Sequence, residues 1–160
     1  MHDGKRLGVA LRPLEFLSSL WAALLIALTA HAQTATDADT IRLNGTAYRI
    51  HGIDAPESRQ VCADGWPAGA IATAYMVDLM RGKTVVCEAK TQDRYGRTVA
   101  LCRADGRDLG AELVSAGMAW AFVRYSNDYI GQEARAKAAR LGVHGHDCAP
   151  AWEWREQQRR

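Results

Sequence analysis

From Thr40 to Ile53 the sequence TIRLNGTAYRIHGI alternates apolar and polar positions and is broken once, at Asn44-Gly45. The alternation predicts two strands. Asn-Gly between them predicts a two-residue hairpin, because both residues tolerate positive φ. KTVVCEAKTQ (83–92) and RTVALCRADG (97–106) repeat the pattern around Tyr95-Gly96 and predict a second hairpin. Between the hairpins, APESRQVCADGWPAG (55–69) has the Pro, Gly and polar content of a loop. AGAIATAYMVDLMRG (68–82) places Ile71, Ala74, Tyr75 and Leu79 at helical spacing, with Gly82 as the stop. DLGAELVSAG (108–117) predicts a short helix capped by Asp108, and IGQEARAKAARLG (130–142) a helix ending at Gly142. Residues 33–38 read as a polar leader. AWAFVRY (119–125) fits either a strand or an irregular aromatic segment, and the tail after His146 is rich in Trp and basic residues. The order strand–strand, helix, strand–strand, helix, helix predicts a small α+β domain. Its strands would form a closed or partly closed barrel.

Composition refines this picture in three places. A chain of 160 residues that is 48% hydrophobic forms one domain with its own core. A formal charge of +2 neither demands nor excludes nucleic acid, since a basic patch can exist on a near-neutral chain. Near the start, Lys5, Arg6 and Arg12 precede the uncharged run FLSSLWAALLIALTA (16–30) and the small residues of Ala30-His31-Ala32. This is the pattern of a secretory signal peptide cut after Ala32, with an uncleaved membrane anchor as the alternative. The expected domain division is 1–32 as signal and 33–160 as the exported domain, periplasmic or secreted.

Export gives the four cysteines a meaning. Cys62, Cys87, Cys102 and Cys148 allow three disulfide connectivities. The second hairpin could set Cys87 opposite Cys102, which leaves Cys62 with Cys148. A metal site using His144, His146 and Cys148 is the competing reading.

The chemistry-bearing residues fall at the ends of the predicted strands. Asp37 and Asp39 precede the first strand, Arg49 lies in the second, Asp54 and Glu57 follow it, and Arg97 follows Asp93-Arg94-Tyr95-Gly96. If the first two strands pair through Asn44-Gly45, Asp39 comes close to Asp54. Two carboxylates there suit a hard cation, Ca²⁺ before Mg²⁺ if carbonyls and water complete the shell. The rest of the EF-hand signature is missing. Guanidinium groups match phosphate oxygens, which points Arg49 and Arg97 at a phosphodiester. Glu57 is then free to take a proton from water. The plainer alternative is that each of these charges is a solvated loop or turn residue.

Taken together, DADT (37–40), YRIHGIDAPE (48–57), DRYGR (93–97) and the segment from DLGAELVSAG to RYS resemble the staphylococcal nuclease (thermonuclease) family in order and spacing. The resemblance covers roughly residues 36–143. It implies a five-stranded OB-fold β-barrel with about three helices, in the α+β class, and calcium-dependent hydrolysis of DNA and RNA that leaves 3′-phosphate ends. Carried over, Asp39, Asp54 and the main-chain carbonyl of Ala55 would hold Ca²⁺. Arg49 and Arg97 would hold the phosphate, and Glu57 would act as base. Phe122 and Tyr125, with Tyr95 of the turn, would stand against the nucleotide, and Trp120 would lie behind them or in the core. The family commonly has Gly where this chain has Ala38, which fits if φ there is negative. The four cysteines depart from the founding pattern. The expected substrate is single-stranded DNA or RNA and the expected state is a monomer with no protein partner. Two other classes compete: a non-catalytic OB-type nucleic-acid-binding domain, and an exported structural module held by disulfides.

Overall fold

The computed structural model describes residues 32–160; the apolar run expected to be the signal lies outside them. The first hairpin forms as expected. Strands β2 (Thr40–Leu43) and β3 (Thr46–Ile50) pair antiparallel with Leu43 opposite Thr46. Asn44 and Gly45 take φ of 50° and 85°, the signs that a tight hairpin turn requires.

The segment read as a polar leader is a strand instead. β1 (Gln33–Asp37) pairs antiparallel with β2, and burial alternates along QTATD. Threonine is a good strand former despite its polarity, and Ala35 packs against the core. Gln33 also ties down the end of a helix. Its amide donates to the carbonyls of Met80 (3.0 Å) and Lys83 (3.2 Å).

After the two-residue strand β4 (Ile53–Asp54), helix α1 runs from Ala68 to Met80. Its fully buried line is Ala68, Ala72, Met76 and Met80. Tyr75 and Leu79 only flank that line, and Ala74 is exposed. Almost every residue of this helix is apolar, so periodicity alone could not select the buried face. The second hairpin joins β5 (Val85–Gln92) to β6 (Thr98–Ala104). β6 also pairs with β3, in parallel, and carries the short β7 (Arg107–Asp108). The sheet order is β1-β2-β3-β6-β5, an open path of pairings rather than a closed barrel. The α+β class and OB-like arrangement hold.

Asp108 caps α2 (Leu109–Ser115) as predicted, accepting from the N–H groups of Gly110 and Ala111. Of the aromatic segment, only Trp120–Ala121 is strand (β8), and it pairs with β4. Helix α3 (Ile130–Ala138) stops short of Gly142, because Arg140 turns to φ 53°. A 3₁₀ turn at Gly142–His144 follows. The tail then forms a fourth helix, α4 (Ala151–Gln157). The main core joins Ile41, Ile50 and Ile53 to Met76 of α1 and Leu109 and Leu113 of α2. Ala38 is part of it, and its φ is not positive, so alanine is accommodated.

Both disulfides join the expected partners. Cys87 and Cys102 face each other across β5 and β6, and Cys62 is bonded to Cys148. This overturns the metal reading of the tail. Cys148 is committed to its disulfide, while His146 stacks on Trp66 and contacts Asp64 at 2.8 Å. His144 points its Nε2 into the interior, where it has no hydrogen-bond partner among the described residues.

Candidate active site

The hairpin brings the carboxylates together through the backbone. Thr40 stands opposite Arg49, and the N–H of Ile50 donates to the carbonyl of Asp39 at 2.8 Å. One oxygen of Asp39 accepts from the N–H of Ala55 at 2.9 Å, and the other is ion-paired with Arg49. Arg49 also reaches Asp54 at 2.6 Å. Its guanidinium therefore links the carboxylates at the start of β2 and the end of β4. Asp39 and Asp54 are buried, with relative exposures of 2% and 0%. Burial works against the Arg49 charge, but Asp39 and Asp54 outweigh it and hold its pKa above the ordinary value. Burial pushes Asp54 up despite its guanidinium partners. Asp37 is pushed up to about 7, by burial first and then by the charge of Asp39 beside it.

Arg97 reaches the same cleft by register. Arg49 is opposite Val99 in the parallel β3–β6 pair, and Arg97 lies two residues before Val99. Side chains two apart share a sheet face. Arg97 is half exposed and is held by Asp93, whose carboxylate accepts from its Nε at 2.7 Å and from its backbone N–H at 3.0 Å. The Tyr95 ring lies 5.7 Å from its guanidinium carbon.

Glu57 sits in the loop after β4, where helix packing fixes its backbone. The Gly69 N–H donates to the Gln60 carbonyl, and the Gln60 N–H to the Glu57 carbonyl. A Cβ on Gly69 would lie 1.8 Å from the Glu57 carbonyl oxygen, so α1 can start here only with glycine. The Glu57 side chain stays 34% exposed at the mouth of the cleft.

Asp37, Arg49, Glu57 and Arg97 open onto a cleft of about 800 Å³, with Asp39 and Asp54 buried behind Arg49. Arg49, Arg94, Arg97, Arg124, Arg155 and Arg159 line it against Asp37, Glu57 and Asp93, which makes the wall net positive. Phe122, Tyr125 and Tyr95 line it too. Phe122 meets Tyr125 edge-on at 5.0 Å, while Tyr95 and Tyr125 are 69% and 70% exposed. Trp120 is buried in the second, smaller core.

Sequence reasoning missed the contribution of α4. Trp152 stacks on Phe122 at 5.6 Å. Arg155 reaches Asp54 at 2.6 Å and Glu57 at 2.7 Å. The signal was available: Trp152, Arg155 and Arg159 recur at helical spacing behind Pro150, a good helix starter.

The donor set suits a hard cation in kind. Asp37, Asp39 and Asp54 offer oxygen only, with Arg49 and Arg155 as their guanidinium partners. The side chains do not form a ready cage. Among the described residues no three His, Cys, Asp or Glu side chains converge as a metal-binding group. Both oxygens of Asp54 contact guanidinium groups instead.

Comparison with known proteins agrees with this geometry. The family model described as "Staphylococcal nuclease homologue" matches residues 47–144. An "Uncharacterized endonuclease" of Escherichia coli O157:H7 is 30% identical over 155 residues, covering 91% of this chain and 97% of its own. A second "Uncharacterized endonuclease", from Haemophilus influenzae, is 33% identical and covers 69% of this chain and 61% of its own. "Staphylococcal-like nuclease CAN1" of Arabidopsis thaliana is 30% identical, covering 69% of this chain and 33% of its own. With its fold, its paired carboxylates and its two cleft arginines, the chain belongs to the staphylococcal nuclease family.

Proposed function

We propose that this protein is a calcium-dependent nuclease that hydrolyses DNA and RNA phosphodiester bonds by in-line attack of water, leaving 3′-phosphate ends. Membership of a nuclease family makes it a phosphodiester hydrolase. One observation carries the finer reading: the buried Asp39 and Asp54 interlock with Arg49, and Arg49 lines a net-positive cleft together with Glu57 and Arg97.

Asp39, Asp54 and the Ala55 carbonyl would hold the cation. When bound, it would supply Lewis-acid polarisation of a phosphoryl oxygen and offset charge developing there. Arg49 and Arg97 donate to the other phosphate oxygens from two directions. They act most strongly in the transition state, where those oxygens carry more charge. Glu57, exposed to solvent, accepts the proton of the attacking water. Phe122, Tyr125 and Tyr95 offer faces and edges to nucleotide bases without reading sequence. The two disulfides fit an oxidising compartment, consistent with export as a monomer to the periplasm or beyond. Among the described residues no helix is long and apolar enough to cross a membrane.

The test is cleavage of single-stranded DNA with calcium and with a chelator, followed by end analysis. We expect cleavage in calcium alone, products that resist a 5′-labelling kinase less than a 3′-polymerase, and a loss of about 10²–10⁴ in kcat for Glu57→Gln. Equal cleavage in chelator would remove the metal from the reading. Full activity of Glu57→Gln would remove the base.

A further inference from the structure

The role of Arg155 lies beyond the residues matched by the family model, which end at 144. Its guanidinium forms a two-pronged contact. One nitrogen lies 2.7 Å from Glu57 and 3.2 Å from Asp54, and the other 2.6 Å from the second oxygen of Asp54. Among the described residues it is the group that joins the proposed metal carboxylate to the proposed base. Opposing carboxylates hold its own pKa above the ordinary value even though burial disfavours its charge.

This contact is anchored on both sides. Cys148, three residues before α4, is bonded to Cys62, five residues after Glu57. The buried Gln60 donates its side-chain amide to the carbonyl of Ala149 at 2.7 Å. Trp152, one helical turn before Arg155, packs on Phe122 and edge-on to Trp120. The Glu57 loop and the start of α4 are therefore tied together at two points, and the helix face that carries Arg155 rests on aromatic rings through Trp152.

We propose that Arg155 is a positioning residue that sets the cation affinity of the site and aims Glu57. The inference rests on the reading of Asp54 as a cation ligand and Glu57 as base. A carboxylate has about four lone-pair positions. Arg49 and Arg155 together engage both oxygens of Asp54. These three contacts leave about one position free, on the oxygen that Arg155 alone holds, so a cation there competes with the Arg155 charge for Asp54. Glu57, by contrast, has one oxygen held by Arg155 and leaves the other free for water. The arrangement weakens the resting affinity for the ion and restricts the side-chain rotamers of a base whose backbone the packing of α1 already fixes. Lysine could not reproduce it, since an ammonium is a point charge rather than a planar fork.

The opposed effects supply the test. The full chain is stripped of divalent ions and titrated with Ca²⁺ by calorimetry, and kcat and KM are measured on single-stranded DNA. We expect Arg155→Met to bind Ca²⁺ more tightly by about ten-fold, on the order of one lost part-buried ion pair, while its kcat falls. Arg155→Lys should lie between it and wild type on both measures. A residue that merely supports the fold would weaken calcium binding and turnover together, and that result overturns the proposal. Unchanged calcium affinity in both variants also overturns it. If Arg155→Met does not fold, Arg155→Lys decides, because an affinity equal to wild type contradicts the competition. Absence of calcium binding in wild type and both variants removes the metal reading itself. Binding by wild type with no gain in the variants removes this inference alone.

Discussion

Arg49 and Arg97 face one cleft from very different surroundings. Arg49 stands on a strand whose partners are set by the hairpin register, and it is wedged between two buried carboxylates. Arg97 follows a turn, is half exposed, and leans on Asp93, which is itself partly open to solvent. The strand-borne part of the site is built into the stability of the domain. The rim part is attached to it. A charge at the floor therefore serves two purposes, and a charge at the rim serves one.

Substitution separates these purposes. Arg49→Ala leaves Asp39 and Asp54 buried together without their shared counter-ion. We expect it to lose activity and about 3–5 kcal/mol of stability, read by urea unfolding beside a cleavage assay. Arg97→Ala should lose about 10²–10³ in kcat with a smaller change in KM and almost no change in the unfolding midpoint. Equal loss of stability in the two variants would erase the distinction between floor and rim.

A smaller effect is expected where the rim meets the helix layer. Gly69→Ala drives a methyl group into the Glu57 carbonyl, which must shift. We expect about 1–3 kcal/mol of destabilisation and a drop in kcat that exceeds any change in KM, because the displaced backbone carries Glu57, the proposed base. Normal turnover in a destabilised Gly69→Ala would separate the position of Glu57 from that of α1.

The smallest expected effect lies away from the cleft, at His144. Burial holds this imidazole below its ordinary value of 6.5, and its Nε2 has no partner among the described residues. The unfolded chain therefore binds the proton more readily than the folded one. Stability is retained above pH 6.5 and declines as pH falls below it. His144→Leu should flatten that part of the pH–stability curve and leave cleavage at neutral pH unchanged. An identical acid slope in the variant would assign the slope to other groups.

Much of the floor was legible in the sequence, because hairpin pairing is a local matter. Asn44-Gly45 fixes the turn, the turn fixes the register, and the register carries Asp39 toward Asp54. Cys87 and Cys102 follow the same logic in the second hairpin. What escaped depends on distant contacts. The strand at 33–37 lacks an apolar face strong enough to announce it and is defined by β2 beside it. The buried side of α1 is chosen by its neighbours, not by its own nearly uniform composition. Arg155 is 101 residues from Asp54 in the chain, so no local pattern connects them. The helical spacing of Trp152, Arg155 and Arg159 marks a helix, and the pairing of Cys62 with Cys148 is what signals that this helix returns to the site.

That cross-link changes how the protein would survive a protease. The turn around Tyr95 and the stretch from Val123 to Tyr125 are both exposed and are natural places for a first cut. A cut at either place falls between Cys62 and Cys148, so the fragments remain covalently joined. At the Tyr95 turn, Cys87–Cys102 joins them a second time. Nicked molecules would keep their full mass until reduced, with the carboxylates upstream of the cut and the C-terminal helix downstream still in one particle.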